Sequence, residues 1–258
     1  MKNFLYSIAR DERTGCIARL ARIVLFLLSL VYGAAVKVIL FGYAAGLLSR
    51  RRLGVPVVSV GNLTLGGVGK TPMVIFVARM LKIKKLKPVI LTRGYMPQKT
   101  RGRSSPESYF SDEAEVLRQA LDGVPVVVNP DRYQGGLQAI QRYAPDVIIL
   151  DDGFQHWRLF RDLDIVLVDS VHPFGNGRLL PRGILREGLS SLRRAGLVIL
   201  TKTDRGEVSE LKEKLKSICP DVPIVETVHR PVSLTNIFTK SFVQVTKLNQ
   251  AVVAFCGL

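Results

Sequence analysis

The stretch GNLTLGGVGKTP, residues 61–72, sets glycines, a lysine and a threonine between an apolar run and a helical-looking segment. Thr64 stands where a strict P-loop has its first glycine, so the match is to the variant GGxGKT: Gly66, Gly67, Val68, Gly69, Lys70 and Thr71. Glycines let backbone N–H groups converge on phosphate, and the helix that follows turns its positive end to the same anion. In such a loop Lys70 spans the β- and γ-phosphates, and the Thr71 hydroxyl binds Mg²⁺. A site of this kind also needs a carboxylate at the end of a buried strand. DVIILDDGFQHWR, residues 146–158, supplies Asp151 and Asp152, and spacing does not choose between them. Their bland alternative is to cap a loop. His156 either faces a ligand or closes a hydrogen bond within that loop.

Three further groups complete the candidate chemistry. Asp112 and Glu113 open a helix in FSDEAEVLRQ, where acids favour the helix dipole; a kinase also needs a carboxylate near the γ-phosphate to take the acceptor's proton. FGNGRLLPRGILRE, residues 174–187, gathers Arg178, Arg182 and Arg186 among glycines, either as a phosphate clamp or as a solvated basic loop. TKTD, residues 201–204, is similar to the guanine-reading motif of P-loop GTPases and argues for a switch rather than an ATP enzyme.

A frame for these residues is visible in apolar runs at 55–60, 88–92, 124–128, 146–150, 164–168 and 197–201. Strands rich in Val and Ile without polar alternation are buried on both faces, which predicts an α/β fold: a mostly parallel sheet, P-loop NTPase-like, with helices on both faces. Connecting helices are expected over 71–82, 112–121, 132–143 and 207–218, and residues 92–110 read as a long polar loop. KIKKLK, residues 82–87, reads as a solvated helix end or as a contact for anionic lipid.

Ahead of the sheet, residues 23–48 carry one charge, Lys37, and as a helix would reach roughly 39 Å, enough to cross a hydrocarbon core. Arginines flank both ends, so charge gives no orientation, and the run suits a helix in the membrane interface or a bent re-entrant hairpin as well as a single span. A removable signal peptide is not expected. The chain holds 37 Lys and Arg against 21 Asp and Glu, a formal charge of +16, which favours an anionic partner. No groove-reading or base-stacking motif accompanies that charge, so nucleic acid is not an expected partner. Three distant cysteines give neither a disulfide framework nor a zinc site and fit a reducing compartment.

In its segments and their order the chain resembles the tetraacyldisaccharide 4′-kinase family of lipid A biosynthesis. PVVSVGNLTLGGVGKTP, TRGY, SDEA, DDGFQH, FGNGRLLPRGILRE and the apolar, basic N-terminus carry the resemblance over residues 1 to about 204. It implies a Mg²⁺-dependent kinase on the cytoplasmic face of the inner membrane, with ATP as donor and an acylated, phosphorylated disaccharide lipid as acceptor, giving lipid IVA. It also implies contact with an anionic membrane surface. By resemblance Asp112 is the catalytic base, Lys70 and Thr71 bind the nucleotide and its metal, Glu113 and Asp151 or Asp152 are metal ligands, and Arg93, Arg178 and Arg182 contact phosphate. The corresponding organisation is a membrane-associated helical segment over 1–52, a kinase domain over 53–227, and a linker with the start of a second domain over 228–258. Met96 and Pro97 replace the usual glycines after TRGY, which stiffens that loop. The family pairs its aspartate with a histidine from a region not included in these 258 residues, so this chain is expected to bind nucleotide and turn over slowly. The competing reading is a membrane-attached switch NTPase of the partitioning or signal-recognition type, although Leu65 replaces the lysine usual before GGxGKT in the partitioning class.

Overall fold

The computed structural model describes residues 15–94, 112–230, 233–235 and 242–244. The chain divides into two compact units, Met1–Thr227 and Val228–Leu258. The first is built on a seven-stranded sheet in the order β3-β2-β4-β1-β5-β6-β7, every pairing parallel. Its strands are β1 (Val57–Asn62), β2 (Pro88–Thr92), β3 (Val126–Val128), β4 (Val147–Asp151), β5 (Leu163–Asp169), β6 (Leu197–Thr201) and β7 (Ile224–Glu226). Six of these are the expected apolar runs. The seventh is three partly exposed residues at the sheet edge, too short to stand out from the loop before it.

Parallel strands need crossovers, and helices supply them. In chain order these are α2 (Lys70–Ile83), α3 (Asp112–Ala120), α4 (Arg132–Tyr143) and α5 (Val208–Ile218), with a 3-10 turn at Leu189–Arg194. The two-residue period of each strand divides its side chains between two cores. Ile149, Ile165 and Leu167 face a core built with Val74 and Ala78 of α2 and Leu117 of α3. Ile148 and Leu150 face Ala139 of α4, while Val166, Val168 and Leu200 face Leu211 and Leu215 of α5. Both sheet faces are therefore covered, as the unalternating strands require. Each wholly buried Leu or Ile contributes roughly 2 kcal/mol from removal of apolar surface.

The sequence order places the chemistry at the carboxyl ends of the central strands. Val60 lies opposite Asp151 in the β1–β4 pair, so the loop leaving β1 and the acids ending β4 emerge side by side. One glycine makes the approach possible: a Cβ on Gly61 would stand 2.6 Å from Phe154 Cβ and 2.8 Å from its backbone nitrogen. Any other residue there would push the DDGF turn off β1.

The N-terminal apolar run is one continuous helix, α1 (Cys16–Ala44), starting seven residues before the run itself. Among the described residues it is the one helix long and apolar enough to cross a membrane. The bent-hairpin expectation does not hold, because its glycines serve close approach rather than a bend. A Cβ on Gly33 would lie 2.8 Å from Leu179 Cδ1, and one on Gly42 would lie 3.0 Å from Leu48 Cδ1. Ala18, Ser29, Gly33 and Val36 form a narrow buried stripe, while Ile17, Leu20, Leu27, Val31, Val38 and Phe41 remain exposed. Lys37 is exposed on the same helix.

The second unit, described by itself, holds β8 (Ser233–Thr235) and β9 (Phe242–Gln244) as an antiparallel pair, Leu234 opposite Val243. The terminal AVVAFCGL run and most of the polar loop, including Met96 and Pro97, lie outside the described residues.

Candidate active site

The loop after β1 is shaped by glycine where the backbone must turn left-handed. Gly66 has φ 124° and Gly69 φ 88°, and Gly69 is the cap from which α2 starts at Lys70. Val68 is buried beneath the loop, and its carbonyl accepts a hydrogen bond from Thr201 Oγ1 at 3.1 Å. Lys202 Nζ donates to Asp169 Oδ2 at 2.5 Å and to the Gly67 carbonyl at 3.4 Å. The first half of TKTD thus ties the P-loop to β5 and β6. Asp204 lies 3.8 Å from Arg205 at the surface.

Thr64, the departure from a strict P-loop, has a role of its own. Asn62 Nδ2 donates to the Thr64 carbonyl at 2.7 Å and to its hydroxyl at 3.1 Å. That turns Asn62 Oδ1 toward Lys70 Nζ, which donates to it at 3.1 Å and stands 3.6 Å from Asp152 Oδ1. Arg186 Nη1 meets the same carboxylate at 2.9 and 3.0 Å and Gln155 Oε1 at 3.2 Å. Gln155 is itself fixed by donating to the Asn62 carbonyl at 3.0 Å. Asp152 adopts φ 51°, a left-handed conformation uncommon for a residue with a Cβ, which turns its carboxylate out of the β4 line.

Asp151, by contrast, is buried, with Thr92 Oγ1 at 3.4 Å. Burial, reinforced by repulsion from Glu113 and Asp152, pushes its carboxyl up to about 6 against the partial pull of Lys70. Arg132, also buried, answers that charge: burial lowers its guanidinium to about 10, still cationic at neutral pH, while Asp151 and Asp152 hold it charged.

These side chains line a cavity of about 510 Å³. Among the expected residues, Gly66, Lys70, Thr71, Arg93, Glu113, Asp151 and Asp152 line it, and Gly67, Val68 and Gly69 form the loop behind it. Asp112 is the first residue of α3, next to Glu113; its side chain lies outside the described residues. Sequence reasoning passed over Arg132, Gln155 and Thr92, which also line the cavity, and over Asn62, which orients Lys70. His156 lines it as well. Burial, then the neighbouring Arg132 and Arg161, depresses its imidazole to about 4, so it is neutral at physiological pH.

The residues present fit a hard divalent cation. Thr71, Glu113, Asp151 and Asp152 offer only oxygen donors, and a buried carboxylate strained by two others is what a cation would relieve. Among the described residues no three acids or histidines close into a full cage. Mg²⁺ in nucleotide sites takes its remaining ligands from phosphates and water.

Arg178 and Arg182 do not reach this cavity. Arg178 lies over the Phe26 ring of α1, its Cζ 5.2 Å from the centroid. The Arg182 N–H donates to Ser29 Oγ at 3.0 Å, and Ser29 Oγ donates to the Leu179 carbonyl at 3.0 Å. Tyr32 donates its hydroxyl to the Arg186 carbonyl at 2.8 Å. The arginine loop is therefore seated on α1 along residues 178–186, and only its last arginine enters the cavity.

A parallel sheet of this order, with a glycine loop opening a helix beside an acidic strand end, defines a P-loop nucleotide-binding protein. Within that class, the family model described as "Tetraacyldisaccharide-1-P 4'-kinase" matches residues 21–258, and the chain belongs to that family. It is 42% identical over 213 residues to the tetraacyldisaccharide 4′-kinase of Geobacter sulfurreducens, covering 79% of this chain and 60% of that protein. It is 44% identical over 198 residues to that of Geobacter metallireducens, covering 73% of this chain and 59% of the relative. A crystal structure of LpxK from Aquifex aeolicus in complex with ATP superposes with a TM-score of 0.62 at 39% identity, over 70% of this chain and 58% of that one. The chain thus spans about three-fifths of the curated relatives it matches. The switch-NTPase alternative is not favoured by these matches.

Proposed function

We propose that this chain carries the nucleotide-binding half of a kinase moving the γ-phosphate of ATP to the 4′-hydroxyl of a tetraacyldisaccharide 1-phosphate, giving lipid IVA. The observation that supports it is the convergence of Lys70, Thr71 and the Glu113–Asp151–Asp152 acids on one cavity in a chain of this family. Thr71, Glu113 and Asp151 or Asp152 would hold Mg²⁺, which would offset the negative charge of the nucleotide's phosphates. Lys70 and Arg186 now neutralise Asp152. Incoming phosphates would compete for both cations, and their loss to phosphate would leave the Asp152 carboxylate available as a metal ligand. Arg93 and Arg132 add positive charge on the far wall. Asp112, at the start of α3, takes the proton of the acceptor hydroxyl.

The acceptor is a lipid, and α1 offers an apolar face beside the arginine loop. With one stripe seated on protein and the rest exposed, α1 is suited to lie in the interface on the cytoplasmic face of the inner membrane. Arg50, Arg51 and Arg52 follow it and suit an anionic surface. The test is transfer from γ-labelled ATP to tetraacyldisaccharide 1-phosphate by the full-length gene product in detergent, with Asp112→Ala as control and GTP as competitor. Transfer that needs Asp112 and ignores GTP is expected. Tight GTP binding with hydrolysis and no transfer would return the site to a switch NTPase.

A further inference from the structure

Glu187 stands beside Arg186 in sequence and parts from it in space. Arg186 lines the cavity, whereas Glu187 is wholly buried. Its Oε1 accepts a hydrogen bond from Trp157 Nε1–H at 3.2 Å, and Arg194 Nη2 lies 2.8 Å from its Oε2. The 3-10 turn Leu189–Arg194 returns that guanidinium to the start of its own loop, where its Cζ also stands 4.6 Å from the centroid of the Phe154 ring.

Trp157 and Phe154 belong to the same turn as Asp152 and Gln155, the residues that Arg186 Nη1 meets in the cavity. One short stretch of chain thus grips one turn twice, by a cation at the cavity wall and by a carboxylate behind it. Among the described residues the hydrogen bonds of the Arg186 guanidinium all run through Nη1, and its Nε is buried without a partner. Phosphates that draw Nη1 away from Asp152 would therefore release the grip at the cavity wall. The contact of Glu187 with Trp157 is untouched by that exchange, since neither residue lines the cavity.

The chemistry of that contact argues for placement over adhesion. Burying an ion pair costs several kcal/mol of desolvation per charge, and apolar residues of similar volume often stabilise a fold as well or better. What a carboxylate adds is direction, because its two oxygens meet one indole N–H and one guanidinium at set positions. We infer that Glu187 is a positioning residue: through Trp157 it keeps the arginine loop in register with the turn that carries Asp152, so that Arg186 stays aimed into the cavity as it changes partner from carboxylate to phosphate. The inference rests on the kinase reading above and adds to it the part that holds one of its cations on target.

The experiment is a double-mutant cycle on the full-length protein, with Trp157→Phe and Glu187→Gln each made in wild type and in Arg186→Ala. Activity is read as transfer from γ-labelled ATP to tetraacyldisaccharide 1-phosphate in detergent. Trp157→Phe keeps an aromatic ring and removes the N–H; it is expected to lower kcat about 10-fold with KM for ATP within about two-fold of wild type, the mark of a misaimed group rather than a lost ligand. In Arg186→Ala the same change should cost less than about two-fold, because the group being aimed is gone. Glu187→Gln withdraws the charge facing Arg194 and should show the same dependence on Arg186; if it does not fold, Trp157→Phe carries the test alone. A loss of about 10-fold in both backgrounds would overturn the proposal, since it would make the contact a brace for the fold and nothing more. So would Trp157→Phe at the wild-type rate, or KM for ATP rising as kcat falls. If wild type transfers no phosphate to the acceptor while still binding ATP, the kinase reading fails first and this role falls with it.

Discussion

Two cationic loops converge on Asp152, and they are held there by different means. Lys70 comes from the P-loop, whose shape follows from Gly66, Gly69 and the start of α2, within a dozen residues of chain. Arg186 comes from a loop whose backbone is seated on α1, more than 140 residues earlier, through Tyr32 and Ser29. The first is local geometry reinforced by the sheet. The second is tertiary, and it joins an apolar surface helix to the centre of the chemistry. A displacement of α1 should therefore reach one cation of the site and not the other.

The largest effect should come from the local loop. Lys70→Ala removes the P-loop cation proposed to meet the β- and γ-phosphates and is expected to lower phosphate transfer by about 10³-fold, measured as kcat with γ-labelled ATP. Arg186→Ala should lower it by about 10²-fold, since Arg132 and Arg93 line the same cavity. A larger loss for Arg186 than for Lys70 would invert the ranking of the two loops. Next comes the seat itself. Gly33→Leu places a side chain where a Cβ already meets Leu179 Cδ1 at 2.8 Å. Overpacking of this kind costs about 1–3 kcal/mol. The arginine loop should lift from α1, with kcat falling roughly 10-fold while ATP affinity, titrated by calorimetry, stays near wild type. Loss of ATP affinity in step with kcat would show that the two loops are not independent.

The same contrast explains what could be read in advance. β1, β2, β4, β5 and β6 announce themselves as unbroken Val/Ile runs because both sheet faces bury them, and GGVGKT is legible because a phosphate loop needs those residues consecutively. Arg132 carries no such mark. It is an ordinary first residue of a helix until Asp151 is folded against it. Asn62 and Thr64 are equally silent, since the spacing that turns an amide toward Lys70 has no wider motif. In the arginine loop the composition was visible but not the geometry: three arginines at four-residue intervals look equivalent, and contact with α1 alone separates Arg186 from Arg178 and Arg182. Gly33 and Gly42 misled for a related reason, because close approach and bending ask for the same residue.

A smaller effect tests the link from α1 directly. Tyr32→Phe keeps the ring and removes the hydroxyl that binds the Arg186 carbonyl at 2.8 Å. One such bond is worth about 1 kcal/mol, so kcat should fall roughly five-fold with KM for ATP unchanged. Tyr32→Ala, which also removes the packing, should fall further, and a loss in Tyr32→Ala with none in Tyr32→Phe would assign the effect to the ring.

The smallest effect concerns the DDGFQH turn, on which both cations act. An unfolded imidazole takes its proton near pH 6.5, whereas burial and the neighbouring Arg132 and Arg161 hold His156 to about 4. Between those values the unfolded chain binds more protons than the native one at this position, so the His156 contribution to stability is present above about pH 6.5 and is lost as pH falls toward 4. Asp151 works in the opposite sense. Its native pKa of about 6 lies above the ordinary 3.8, so stability is lost there as pH rises through that window. The two acts of linkage overlap and oppose one another. Thermal melts of His156→Gln at pH about 7 and about 5 should therefore show a variant that gains on wild type as the solution is acidified, and Asp151→Asn one that loses on it. A parallel shift of wild type and His156→Gln between the two pH values would mean that the imidazole is solvated and charged in the native turn, and that Arg132 does not press on it.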